Sequence, residues 1–121
     1  MGRKIILLAD DDPFVRRVVE MTFGSDYETL HANDGLMAMD LIRAQHPDLV
    51  LMDIDMPGLN GIDACSMVKA DPATQSVRVI ILTGVADLEQ RQVALGVGAD
   101  GLFTKPFSPL DLLDTVRQVL N

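Results

Sequence analysis

Four apolar runs in this chain each end on a polar group able to bind a metal ion or a phosphoryl oxygen. Ile5-Ile6-Leu7-Leu8-Ala9 runs into Asp10-Asp11-Asp12, and Leu49-Val50-Leu51-Met52 runs into Asp53. Val79-Ile80-Ile81-Leu82 runs into Thr83, and Leu102-Phe103-Thr104 runs into Lys105-Pro106. Runs of this length, spaced by helix-like stretches, are the pattern of parallel strands buried on both faces. In such a sheet the carboxyl ends of the strands share one edge, where ligands bind. The sequence therefore gathers several carboxylates, one hydroxyl and one ammonium at one edge, a set suited to a divalent cation and a phosphoryl group.

Strand and helix patterns alternate five times. The first strand covers about residues 4–9. Asp12-Pro13 suits a helix start, with Val15, Val18, Val19 and Thr22 on one face. Residues 27–31 form a short, more polar strand that belongs at an edge of the sheet. Asn33-Asp34-Gly35 opens a second helix with Met37 or Ala38, Leu41 and Ile42 inward, and Pro47 ends the connection into the third strand. Met56-Pro57-Gly58-Leu59-Asn60-Gly61 is a loop of turn formers. A third helix buries Ile62, Cys65 and Val68 and closes at Asp71-Pro72. A fourth, weakly striped helix runs from Asp87 to about Leu95, and the fifth strand covers about 100–104. Ser108-Pro109 caps a last helix with Leu112, Leu113, Val116, Val119 and Leu120 inward.

Strict alternation implies right-handed crossovers and a parallel sheet covered on both faces. Five strands fit the doubly wound, flavodoxin-like α/β order 2-1-3-4-5. Strands one and three are then neighbours across the switch point, so Asp10, Asp11 and Asp53 meet. A closed eight-stranded barrel would need roughly twice the length.

The 121 residues fit one domain, 1–121, with a core that needs no staples. The formal net charge is −8, from 18 acids against 10 bases, which argues against nucleic acid and anionic membrane surfaces as direct partners. No apolar run approaches the roughly 18 residues that span a bilayer, and no secretory leader precedes the first strand, so a cytoplasmic location is expected. The single Cys65 cannot form an internal disulfide and reads as a small core residue.

Asp12, just before Pro13, reads as a helix cap. Consecutive aspartates facing Asp53 read as a cation site. Like charges gathered this closely repel, and an ion relieves that cost. Magnesium, or manganese, takes oxygen ligands and keeps several waters, so two carboxylates and a carbonyl suffice. Asp53 is either a further ligand or a nucleophile toward phosphorus, with Lys105 neutralising charge and Thr83 donating to a phosphoryl oxygen. Gly96-Val97-Gly98-Ala99-Asp100-Gly101 spells G-x-G-x-x-G, but it follows a helix and leads into a strand, the reverse of a dinucleotide site. His31 and His46 have no partner at metal-ligand spacing.

Taken together, Asp10-Asp11, Asp53, Met56-Pro57-Gly58, Thr83 and Lys105-Pro106-Phe107 closely resemble the receiver domain of two-component response regulators, over essentially the whole chain. The resemblance implies that Asp53 accepts a phosphoryl group from a phosphohistidine on a sensor histidine kinase or phosphotransfer protein. It implies that Asp11, Asp53 and the main-chain carbonyl of Asp55 bind magnesium directly, and that Asp10 acts largely through metal-bound water. It gives Thr83 and Lys105, with the main chain around Ile54 and Gly84, the phosphoryl oxygens. It also implies a cis Lys105–Pro106 bond, later hydrolysis of the acyl phosphate, and a conformational output rather than an enzyme's product. That output would act on a downstream protein, an output domain, or a second copy in a phosphorylation-dependent dimer. The last helix leaves no room for an output domain within these residues, so the chain is either a stand-alone receiver or a piece of a longer regulator.

One position departs from the pattern. Three residues before the lysine the family often has an aromatic ring or histidine, and here stands Leu102. Phe103 is adjacent but should face the opposite way. The signal is therefore expected to rest on the Thr83 loop, residues 83–88, more than on a side-chain switch at 102. Two other readings compete. Asp53-Ile54-Asp55 offers the D-x-D of haloacid-dehalogenase-type phosphatases, but after the third strand rather than the first, and with Pro57 where Thr or Val is usual. A degenerate receiver acting only as a binding module is disfavoured by the complete acidic set, Thr83 and Lys105.

Overall fold

A computed structural model describes residues 2–84 and 88–120. Within them the chain runs β1 (Ile5–Ala9), α1 (Pro13–Phe23), β2 (Glu28–Ala32), α2 (Gly35–Gln45), β3 (Leu49–Asp53), α3 (Gly61–Ala70), β4 (Arg78–Thr83), α4 (Leu88–Gly96), β5 (Gly101–Thr104) and α5 (Pro109–Leu120). The strands form one parallel sheet in the order β2-β1-β3-β4-β5, the order expected from the alternation, with the polar β2 at an edge. Asp87, the expected start of the fourth helix, and residues 85–86 of the Thr83 loop lie outside the described residues.

Alternate strand residues supply two separate cores. Leu7, Val50, Met52, Val79 and Ile81 pack with Ala38, Ile42, Cys65, Val68 and Ala94 from α2, α3 and α4. Ile6, Leu8, Leu49, Leu51, Ile80 and Leu82 pack with Val15, Val19, Phe23, Leu112 and Val116 from α1 and α5. Leu102 packs against the first cluster and Phe103 against the second, so Phe103 does face away from the Leu102 side.

The helix faces depart from the sequence reading at their flanks. On α1, Val15 and Val19 are buried together with Phe23, which the stripe omitted, whereas Val18 and Thr22 are only half-buried. On α2 the inward residue is Ala38 rather than Met37, with Met39 and Ile42 beside it. On α5, Leu112 and Val116 are buried and Leu113, Val119 and Leu120 lie half-exposed along its borders. Helix α4 has the thinnest attachment: among its described residues only Ala94 is buried, and Leu88 is 70% exposed.

Local chemistry fixes the element ends. Asp12 Oδ1 accepts the Phe14 N–H at 2.9 Å, and Asp34 Oδ1 accepts the Met37 N–H at 2.8 Å. Asn60 Oδ1 accepts the Asp63 N–H at 2.9 Å, and Asp71 ends α3. The Gly96–Gly101 stretch is the end of α4 and a turn with Gly98 at φ 97°, leading into β5. The carboxylate of Asp100 in that turn accepts from the Val79 N–H at 2.8 Å and pairs with Lys69 at 3.0 Å and Arg78 at 3.3 Å. Burial works against the charge of Asp100, but the Val79 N–H and Lys69 outweigh it and hold the carboxyl below the usual aspartate range. No described helix is long and apolar enough to cross a membrane.

Candidate functional site

The strand ladders deliver the site residues to one edge. Asp10 follows β1, and its N–H continues the pairing by donating to Ala32 O at 3.2 Å. Asp53 ends β3 opposite Leu82, and Thr83 ends β4 opposite Thr104. The Lys105 N–H donates to Thr83 O at 2.7 Å, and the Lys105–Pro106 bond is cis as expected. Helix α3 begins so close to β3 that a Cβ on Gly61 would collide with Asp53 O.

One carboxylate oxygen from each of Asp10, Asp11 and Asp53 lies within 4.8 Å of the others. Asp10 is fully buried, Asp53 is 5% exposed and Asp11 faces solvent. Asp10 Oδ1 accepts the Asp12 N–H at 2.9 Å. Asp10 Oδ2 lies 2.7 Å from Lys105 Nζ, a charge contact that lacks the alignment of a hydrogen bond, so this buried oxygen has no other polar partner among the described residues. Lys105 Nζ also lies 3.4 Å from Asp53 Oδ2.

A dry pair of acids needs a cation, and one ammonium is shared between two. Burial and then the neighbouring Asp10 charge push the Asp53 carboxyl above the usual aspartate range, with Lys105 and the Asp55 N–H working the other way. For Lys105 burial opposes the charge, but Asp10 and Asp53 outweigh it and raise its pKa above that of an ordinary lysine. The all-oxygen donor set, an Asp10 oxygen whose one partner is an ammonium shared with Asp53, and the surplus of negative charge fit a hard divalent cation such as magnesium or manganese.

Asp55 is exposed and lies outside the acidic trio. The Asp55 N–H donates to Asp53 Oδ1 at 3.3 Å, while the Ile54 N–H is engaged with Leu82 O at 2.9 Å. Thr83 is buried at the same strand edge, and its Oγ1 donates to Gln90 Oε1 at 2.7 Å.

Gln90 was not legible as a site neighbour, because it reaches Thr83 from a separate element, a helix with little periodicity. His31 is the other surprise. It ligates nothing by spacing, but its Nε2 is 3.0 Å from the Asp10 carbonyl, which makes it a second support for the turn that carries the acids. Cys65 is fully buried and burial pushes its thiol up to about 11, as befits a core residue.

A family model described as "Response regulator receiver domain" matches residues 6–117. The DNA-binding response regulator MtrA of Mycolicibacterium smegmatis is 37% identical over 116 residues, which cover 95% of this chain and 50% of that protein. The chain thus spans about half the length of the curated relatives it matches. The chemotaxis protein CheY4 of Vibrio cholerae has a TM-score of 0.91 at 29% identity, covering 98% of this chain and 100% of its own. The receiver domain of sensor histidine kinase PA1611 from Pseudomonas aeruginosa, with a magnesium ion coordinated in its active site cleft, has a TM-score of 0.88 at 28% identity, covering 98% of each chain. Fold, site geometry and relatives agree: this chain belongs to the response regulator receiver domain family of two-component signalling.

Proposed function

We propose that Asp53 is the phosphoacceptor, that Asp10, Asp11, Asp53 and the carbonyl of Asp55 hold magnesium or manganese, and that Thr83 and Lys105 receive the phosphoryl oxygens. The observation that carries this is one buried carboxylate, Asp53, gathered with Asp10 and Asp11 and sharing the Lys105 ammonium with Asp10. Receiver domains are signalling domains that work with histidine kinases and output domains.

Transfer forms a bond from an Asp53 carboxylate oxygen to phosphorus as the bond from phosphorus to the donor's imidazole nitrogen breaks. The electron pair leaves on the imidazole. Lys105, held charged by Asp10 and Asp53, is already in place to neutralise the phosphoryl oxygens. A divalent ion held by Asp10, Asp11 and Asp53 would supply the remaining positive charge. Asp55 contributes an N–H already aimed at the acceptor. Water later cleaves the acyl phosphate and regenerates the carboxylate.

Next to Lys105 lies an apolar groove of about 460 Å³, lined by Phe14, Val15, Val18, Pro106 and Phe107. Phe14 is 73% exposed there. This face suits a phosphohistidine-bearing protein, since a docked partner would bring its imidazole to the acceptor. The test of the ion site is a manganese titration followed by NMR. Paramagnetic broadening should begin at residues 10, 11, 53 and 55 and be abolished in Asp11→Asn. Broadening spread evenly over the acidic surface would contradict the assignment.

A further inference from the structure

Thr83 is buried at the end of β4, and its hydroxyl hydrogen is directed at Gln90 Oε1, 2.7 Å away in the first turn of α4. A hydroxyl has one hydrogen to donate. If a phosphoryl group is carried on Asp53, its oxygens are charged acceptors and bind that hydrogen more strongly than a carboxamide does. The two acceptors lie on different elements, so they compete for one donor. Helix α4 has little else to fix it, with Ala94 its one buried residue among those described and Leu88, Val93 and Leu95 exposed. Leu102, on the neighbouring strand, has no polar atom to offer in exchange.

We propose that Gln90 is a positioning residue that holds the Thr83 hydroxyl toward α4, so that engaging the phosphoryl group and releasing Gln90 are a single event. The proposal rests on the reading of Asp53 as acceptor. Gln90 then opposes the phosphorylated state, and phosphorylation breaks the tie between Thr83 and a helix with one buried residue among those described. By reciprocity, a partner that binds α4 with Gln90 turned away from Thr83 would favour the phosphorylated form to the same degree.

The test uses beryllofluoride with magnesium as the phosphoryl probe, with affinity measured by calorimetry. Gln90→Met keeps the length of the side chain and removes the acceptor oxygen. It should tighten binding by about two- to tenfold, the fold-change equivalent of one net hydrogen bond. In a Thr83→Ala background the same substitution should lose that tightening, since there is no hydroxyl to hold. Gln90→Ala repeats the measurement if the methionine variant folds poorly. A purely structural role would weaken binding, or change it equally in both backgrounds, and either result overturns the latch. Absence of binding to the wild-type protein would instead remove the acceptor reading on which the latch stands.

Discussion

Asp53 is held where its own charge is disfavoured, by burial first and by Asp10 second. Its folded pKa lies above its unfolded one, so the ionised carboxylate costs stability above the unfolded pKa, and the cost disappears as protonation proceeds at lower pH. Asp53→Asn should therefore raise the urea midpoint of the metal-free protein at neutral pH. The gain should shrink as pH falls through the acid range and as magnesium is added. An unchanged or lowered midpoint at neutral pH would contradict the electrostatic picture. Asp100 has the opposite sign. Its lowered pKa gives stability that is present above the unfolded pKa, about 3.9, and is lost as pH falls through the folded value. Asp100→Ala strands the Val79 N–H and leaves the partly buried Lys69 ammonium with only the Val77 and Gln75 carbonyls, at a cost of about 1–3 kcal/mol by urea melts. A smaller loss at neutral pH than at pH 3 would count against it. Asp10, Asp53, Thr83 and Lys105 were legible in the sequence because each terminates an apolar run. Gln90, His31 and Asp100 were not, because their partners are set by how a helix or turn folds back onto the sheet.

Among the elements, the start of α3 is tied to the end of β3, where Asp53 stands. The absent Cβ of Gly61 leaves room for Asp53 O, with Ile54 Cα a further limit at 3.0 Å. Gly61→Ala must displace backbone there, since neither contact is the end of a flexible side chain. It should destabilise by about 1–3 kcal/mol and slow phosphorylation from acetyl phosphate by at least about tenfold, because small misplacements of reacting groups are costly. Wild-type rate and stability together would show that the loop absorbs the methyl group. Strand and helix order was readable because buried parallel strands are short, continuous and β-branched-rich, with capping residues between. Helix flanks were less so: Phe23 lies beyond a four-residue stripe, and Ala38 and Met39 carry burial that periodicity alone left between Met37 and Ala38. The weak stripe of α4 reflects how little of it the core uses.

Across the whole molecule, two cores hold a sheet whose carboxyl edge carries the acidic cluster and Lys105, with the Phe14–Phe107 groove beside it. A protein donor would use that groove and a small donor would not. Phe14→Ala should slow transfer from a phosphohistidine protein by about tenfold, yet leave the rate from acetyl phosphate within about twofold, because truncating one buried interface aromatic costs on the order of 1–2 kcal/mol. Equal slowing with both donors would place Phe14 in the chemistry or in the fold rather than in docking. Phosphorylation at a single carboxylate, Asp53, is expected to require a divalent ion. This is tested by incubating the protein with phosphoramidate and magnesium and following the intact mass, for wild type, Asp53→Asn, and wild type in excess chelator. Wild type should gain the mass of a single phosphoryl group, and neither the variant nor the chelated sample should gain it. Equal labelling of Asp53→Asn, or labelling unchanged by chelator, would contradict the account.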